Sequence, residues 1–186
     1  WKRNVDIRQH GTGNTGASNV GMVLGTGWGL FVYIVDVVKG ILAALFGHVV
    51  AGDVGLAFCG LAAVVGHDFP VFLGFRGGKG LATTTGVVWI LDWRIMVAIY
   101  GFWVIGIFVT RYFIVSSLLV FWVLIAGTIY LKLSVWYTIF GILAGILAVQ
   151  RHFEDIQRIV RGEEQTAWER LSKHFQLGKR GSARKE

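Results

Sequence analysis

Three short segments of this 186-residue chain carry residue types that hold anions or move protons. The middle one, GHDFPVFLGFRGGKGLATTTG (66–86), sets Arg76 and Lys79 among Gly74, Gly77, Gly78 and Gly80, with His67 and the chain's single proline upstream. Glycines let backbone N–H groups approach a ligand closely and the two cations add charge, so the pattern fits an anion cradle. A helix expected from about residue 81, with Thr83, Thr84 and Thr85 as candidate caps, would add its positive dipole end. A nucleotide P-loop is excluded. Gly74 lies one residue too close to Lys79, Gly80 stands where Ser or Thr is required, and no strand precedes. Arg76 and Lys79 would also suit interfacial anchors for lipid phosphates, but that role leaves four glycines without a purpose.

HGTGNTGASN (10–19) interleaves Gly11, Gly13 and Gly16 with Thr12, Asn14, Ser18 and Asn19, offering backbone and side-chain hydrogen-bonding groups to an anion. An ordinary flexible loop is the competing reading, because glycine-rich turns are common. In RHFEDIQRIVRGEEQ (151–165) a helix would put Arg151, Asp155 and Arg158 on one face beside His152, with Ile156, Ile159 and Val160 facing bundle or membrane. Taken alone, that segment reads as an amphipathic juxtamembrane helix held by salt bridges.

The elements that position these segments are apolar. The chain is 54% hydrophobic and only 16% charged, and residues 95–110, 112–131 and 133–149 contain no charged residue. Each is long enough, or nearly so, to cross a hydrocarbon core of roughly 30 Å as a helix. The expectation is an all-α, polytopic transmembrane bundle. Helices are expected at 27–47 (interrupted by Asp36 and Lys39), 54–66 and 81–91, followed by the three long runs and an amphipathic helix with its continuation over 151–175. That makes about six spans, seven if an upstream hydrophobic segment precedes a chain that opens without methionine. Residues 1–175 read as one domain and 176–186 as a charged, disordered tail.

Basic residues decide the orientation. With these spans all three polar segments reach the same face, which collects nearly every Lys and Arg. Only Arg94 and Lys132 fall opposite, and Lys39 lies inside the membrane. The crowded face is therefore expected to be cytoplasmic. The net charge of +7 has its explanation in topology, and no nucleic-acid partner is implied. Asp36 and Lys39, one turn apart in a span, read as an internal ion pair first and as support for a site second. Cys59 reads as a buried, inert thiol, and His10, His48 and His174 have no metal-like spacing.

Taken together, DIRQHGTGNTGASNV, GHDFPVFLGFRGGKGLATTTG and RHFEDIQRIVRGEE resemble, in order and spacing, the three motifs of the bacterial acyl-phosphate:glycerol-3-phosphate acyltransferase (PlsY) family. DVVKG (36–40) and TRY (110–112) add supporting echoes, so the likeness spans essentially the whole chain. It implies a cytoplasmic-membrane enzyme, its site open to the cytoplasm, that uses acyl phosphate and glycerol 3-phosphate to make lysophosphatidic acid and phosphate. It implies no metal or organic cofactor. Among the motif residues, Thr12 replaces a usual serine that helps hold phosphate, while Gly13, Asn14, Gly16, Ser18 and Asn19 follow the first motif. Lys79 matches the phosphate-neutralising lysine, Gly77 and Gly78 shape its loop, His67 opens that motif and Arg76 lies within it. His152, Arg158 and Glu164 match in the third, Arg158 as the candidate for a bidentate phosphate contact.

Three positions depart from the family pattern. Met22 stands for an arginine, Asp155 for an asparagine and Thr166 for a lysine. A charged hydrogen bond contributes about 1.5–3 kcal/mol, so the missing arginine is expected to weaken phosphate binding, with Arg151 or Arg161 as candidate substitutes. An ionised Asp155 beside phosphate would weaken it further, because carboxylate oxygens only accept hydrogen bonds. For the group that removes the hydroxyl proton, His67, His152, Asp155 and a substrate phosphate oxygen all stand open. No Ser-His-Asp or Cys-His set is present, so direct transfer is expected. A non-catalytic or altered-specificity relative that binds acyl phosphate or phospholipid is the alternative. An anion transporter ranks last, since only Asp36 and Lys39 supply intramembrane charge and no repeat is evident.

Overall fold

The computed structural model describes residues 5–169; the expected tail at 176–186 and the continuation of the third segment over 170–175 lie outside them. Seven helices run α1 (Ala17–Leu24), α2 (Thr26–Asp68), α3 (Leu81–Leu91), α4 (Trp93–Thr110), α5 (Phe113–Tyr130), α6 (Val135–Arg151) and α7 (Phe153–Val160), with no strand among the described residues. The all-α expectation holds. Three of them, α2 with its extension to Leu73, α4 and α5, are long and apolar enough to cross a membrane, and α3 and α6 are shorter apolar helices. At most 28% of the most apolar stretch of each long helix is buried inside the protein, so these helices turn most of their apolar surface outward. Phe31, Phe46, Val109 and Trp122 are among the residues exposed there, a surface that suits lipid and not water.

The long α2 is two antiparallel limbs. Ala51 and Gly52 leave helical geometry, Gly52 at φ +60°. Gly47 and Gly55 then meet so closely that a Cβ on either would strike the other's carbonyl. Eight residues of straight helix would separate them by roughly 12 Å, so the chain has folded back. The limbs correspond to the helices expected at 27–47 and 54–66. Around the bundle, α4, α5, α6 and α2 succeed one another in contact, and α3 lies against α2 while touching α4 and α6. Leu56, Val87, Val88, Met96, Leu124 and Phe140 fill the space between them.

Three local expectations are corrected. The glycine-rich opening contains a helix, α1, which begins at the extended Gly16. The described part of the third segment, 151–169, does not form one helix: α6 ends at Arg151, α7 starts after His152, and Gly162 turns the chain at φ +71°. Arg151 therefore does not share a helix face with Asp155 and Arg158. Thr83, Thr84 and Thr85 do not cap α3, because Gly80 takes the N-cap position in a left-handed conformation and Thr85 donates to the Leu81 carbonyl within the helix.

Gly47→Leu should lower unfolding stability in detergent by about 1–3 kcal/mol or more, the usual cost of overpacking. Gly101→Ala, where open space surrounds the new Cβ, should leave it nearly unchanged. Thermal unfolding of the two variants checks this.

Candidate active site

Each polar segment is shaped by its own hydrogen bonds. In the first, Asp6 caps a 3₁₀ turn at Ile7–Gln9, and Gly11 and Gly13 take positive φ. Asn19, buried in α1, reaches back across the loop. Its Oδ1 accepts from Thr12 N–H (2.8 Å), and its Nδ2 donates to the carbonyls of Ile7, His10 and Asn14 (2.9, 3.1 and 2.7 Å). Asn14 Oδ1 accepts from Gly16 N–H at 2.7 Å. Both amide side chains thus hold the loop's own backbone, and the hydroxyls of Thr12 and Ser18 stand at its edge.

The second segment folds back on the end of α2. Gly77 N–H and Gly78 N–H donate to the carbonyls of Asp68 and His67 at 3.2 and 3.1 Å. A Cβ on Gly78 would collide with the His67 ring, so this approach requires glycine. Arg151 clamps the loop from the other side: its Nε and an Nη donate to Gly78 O (3.2 and 3.0 Å), and its guanidinium lies 5.0 Å from the Phe69 ring centre. Sequence reasoning put Arg151 on a helix face and missed this clamp. Beneath the loop, Asp36 accepts from Lys39 Nζ at 2.6 Å and lies 3.2 Å from His67 Nδ1, so the expected intramembrane ion pair exists and includes His67. The Asp68 carboxylate, fully buried, has no hydrogen-bond partner among the described residues.

In the third segment the break between α6 and α7 turns His152 and Asp155 toward the second. Asp155, only 3% exposed, pairs with both Lys79 Nζ and Arg158 Nη2. Glu164, brought back by the Gly162 turn, accepts from Arg158 Nε at 2.8 Å. That bond raises the pKa of the Arg158 guanidinium, and burial opposes it. His152 is 3% exposed, and its Nδ1 lies 2.8 Å from the Ala148 carbonyl. A carbonyl only accepts, so the proton sits on Nδ1 and Nε2 keeps a lone pair. Burial lowers the His152 pKa first, and the nearby Lys79 ammonium lowers it further. The ring is therefore a neutral proton acceptor at neutral pH.

One cavity of about 960 Å³ joins these parts. Thr12, Asn14, Gly16, Ser18, Asn19, His67, Lys79, His152 and Asp155 line its polar end, and Met22 borders it. Gly13, Arg76, Gly77, Gly78, Arg158 and Glu164 do not line it: Gly77, Gly78, Arg158 and Glu164 support residues that do, and Arg76 stands exposed. The remainder is mostly apolar, with Val88, Met96, Ile99, Trp103, Phe121 and Leu124 among its walls. Sequence reasoning identified none of this wall, because apolar residues in apolar helices carry no mark of which side faces a cavity. Among the described residues no cluster of three or more His, Cys, Asp or Glu is placed to hold a metal ion. Chemically, the site offers an anion-binding end, a neutral imidazole beside an ammonium, and a long apolar space continuous with both.

Known proteins resemble this chain in sequence and fold. A family model for glycerol-3-phosphate acyltransferase matches residues 1–162. A glycerol-3-phosphate acyltransferase of Synechococcus elongatus is 36% identical over 181 residues, covering 92% of this chain and 86% of its own. One from Thermoanaerobacter sp. (strain X514) is 37% identical over 166 residues, covering 88% and 83%. The crystal structure of PlsY, an integral membrane glycerol 3-phosphate acyltransferase, in its glycerol 3-phosphate form superposes with a TM-score of 0.82 at 36% identity over 89% of this chain and 84% of that one. Its lysophosphatidic acid form gives 0.77 at 35% identity, over 83% and 80%.

The neutral state of His152 has a pH consequence. With its pKa lowered in the fold, the unfolded chain binds the proton more readily below the ordinary value of about 6.5. Stability is then retained above that value and lost as pH falls from it toward the folded pKa. Thermal unfolding between pH 7.5 and pH 5 should show this loss, and His152→Gln should reduce the slope.

Proposed function

The chain belongs to the glycerol-3-phosphate acyltransferase family, and on that premise we propose that it moves a fatty acyl group from acyl phosphate to the 1-hydroxyl of glycerol 3-phosphate, giving lysophosphatidic acid and phosphate. The observation that carries this reading is the neutral His152 beside Lys79 at the polar end of a large apolar cavity. A phosphorylated acyl chain needs that combination, with cationic and N–H groups for the head and an apolar space for the tail. We assign the phosphates to the Thr12–Ser18 loop and Lys79, and the tail to the space walled by α4 and α5.

In the proposed reaction the 1-hydroxyl oxygen attacks the acyl carbonyl carbon. His152 Nε2 accepts the hydroxyl proton, the bond from that carbon to the phosphate oxygen breaks, and phosphate leaves with the electron pair. Lys79 balances the charge that develops on the carbonyl and leaving oxygens. Of the four candidate bases, His67 is tied to Asp36 and Lys39 and Asp155 to two cations, which leaves His152 and a substrate phosphate oxygen. No acyl-enzyme is needed, because acyl phosphate already carries a good leaving group and the site supplies orientation.

Asp155 favours a second reading. By pairing with Lys79 and Arg158 it occupies the ground a phosphate would take, as an altered-specificity or binding-only relative would have it. We also propose six crossings in the described chain, with this end of the bundle facing the cytoplasm of a bacterial cell membrane, on the strength of the basic residues gathered there.

Purified full-length protein given acyl phosphate and glycerol 3-phosphate should release phosphate, and Lys79→Ala should reduce the rate by about 10²–10³-fold. No release from the unmutated protein would sink the catalytic reading. Asp155→Asn should tighten inhibition by inorganic phosphate by about tenfold, the effect of removing a competing carboxylate. Weaker inhibition in that variant would show that Asp155 assists phosphate binding.

A further inference from the structure

The apolar wall of the cavity contains a polar contact that neither packing nor the proposed chemistry uses. Tyr33, in the first limb of α2, and Tyr100, in the middle of α4, both line the cavity, and their hydroxyls lie 2.9 Å apart. The two helices that carry them are the ends of the chain of contacts around the bundle. α4 is held by α5 and more lightly by α3, while α2 packs on α1, α3 and α6. The cavity lies in the space between them, and the tyrosine pair crosses that space.

Depth places the pair within the bilayer. Tyr33 is seven residues beyond Thr26 and Tyr100 ten before Thr110, roughly 10 and 15 Å along their helices from the ends where the polar site lies. Tyr100 is 40% exposed, and Phe31, Ile34, Phe102 and Val104 beside the pair point outward. The contact therefore stands on the boundary between cavity and lipid. α4's other flank is fixed: Trp103 Nε1 donates to Ser117 Oγ on α5 at 3.0 Å, and its ring stacks on Phe113.

A hydroxyl in hydrocarbon is tolerable only when hydrogen-bonded, so each tyrosine is the condition for the other. Phenylalanines would fill the same volume without tying the helices together. A chain passing between the rings must part the hydroxyls, and Thr85 on α3 lines the same cavity.

We propose that Tyr33 and Tyr100 form a clasp closing the acyl groove toward the bilayer between α2 and α4, holding the distal part of a long, unbranched acyl tail and making binding depend on chain length. The clasp rests on the acyltransferase reading for the identity of its ligand. Its role is positioning, since neither tyrosine is placed at the reacting atoms.

The test uses the full chain in lipid nanodiscs with two unreactive donor analogues, butyl phosphate, too short to reach the clasp, and hexadecyl phosphate. Tyr33→Phe and Tyr100→Phe should each weaken hexadecyl phosphate binding by about fivefold, on the scale of one methylene's burial lost when the untied helices part around the tail, and leave butyl phosphate within about twofold. The double variant should be no worse than either single, because both remove the same contact. Equal effects on the two analogues, no effect on either, or singles that multiply in the double variant would each overturn the clasp. Turnover is measured alongside. If the Phe variants show the length-dependent effect while the unmutated protein has no turnover, the catalytic reading fails and the clasp stands. If turnover is intact and the Phe variants treat both lengths alike, the clasp fails and the catalytic reading stands.

Discussion

The arrangement of the polar site depends on one buried carboxylate. Asp155 pairs with Lys79 from the glycine-rich loop and with Arg158 from its own helix, while Glu164 takes the other edge of Arg158. Two cations and two carboxylates make this cluster neutral as it stands. A buried charge without a partner is costly, so the four side chains hold one another and, through them, the loop after α2 and the chain after α6. An asparagine in place of Asp155 would take the carboxylate from Lys79 and leave Arg158 with Glu164. The proposed phosphate ligand then enters by exchange, one anion for another, and its affinity is a difference between two strong interactions.

The backbone is arranged around the same constraint. An anion site needs N–H groups and cations, which a bilayer interior does not tolerate, and an acyl tail needs an apolar space, which water does not provide. Both are met where helices end. The break at His152 brings α7 across the mouth of the bundle, and the fold-back of α2 at Ala51 and Gly52 returns the chain to the same end, so that Gly77 and Gly78 can lie against His67. Arg151, fixed to the Gly78 carbonyl, stands outside the neutral cluster. Its positive charge remains available to the field of the site even though its hydrogen bonds are committed.

Much of this was legible because lipid demands long, uncharged runs. The helices at α4, α5 and α6 followed from length and apolarity alone, and the division of α2 followed from the polar step around Gly52 and Asp53. The break at His152 was not legible, because the amphipathic period of 151–160 continues across it and no glycine or proline marks it. The error carried over to Arg151, whose partners are set by direction and not by spacing. The three threonines looked like caps because their residue type suits caps, but a left-handed Gly80 takes the cap position of a helix that starts at Leu81, as expected. Nor could the Tyr33–Tyr100 contact be anticipated, since it joins residues 67 positions apart and either ring alone would pass as lipid-facing.

The intramembrane charges bear on whether the protein moves ions or does chemistry. A transport path needs charged groups that exchange partners with a passing ion. Here Asp36 is engaged by both Lys39 and His67, and Lys39 Nζ also lies 2.5 Å from His67 Nδ1, so the three groups close on one another. The His67 ring of this group packs against Gly78 and thereby against the loop that ends in Lys79. Charge placed in the membrane and coupled to a surface loop in this way acts as a foundation. It fixes the ring that forces glycine at 78, and the glycine in turn lets the loop lie close enough for Lys79 to reach Asp155.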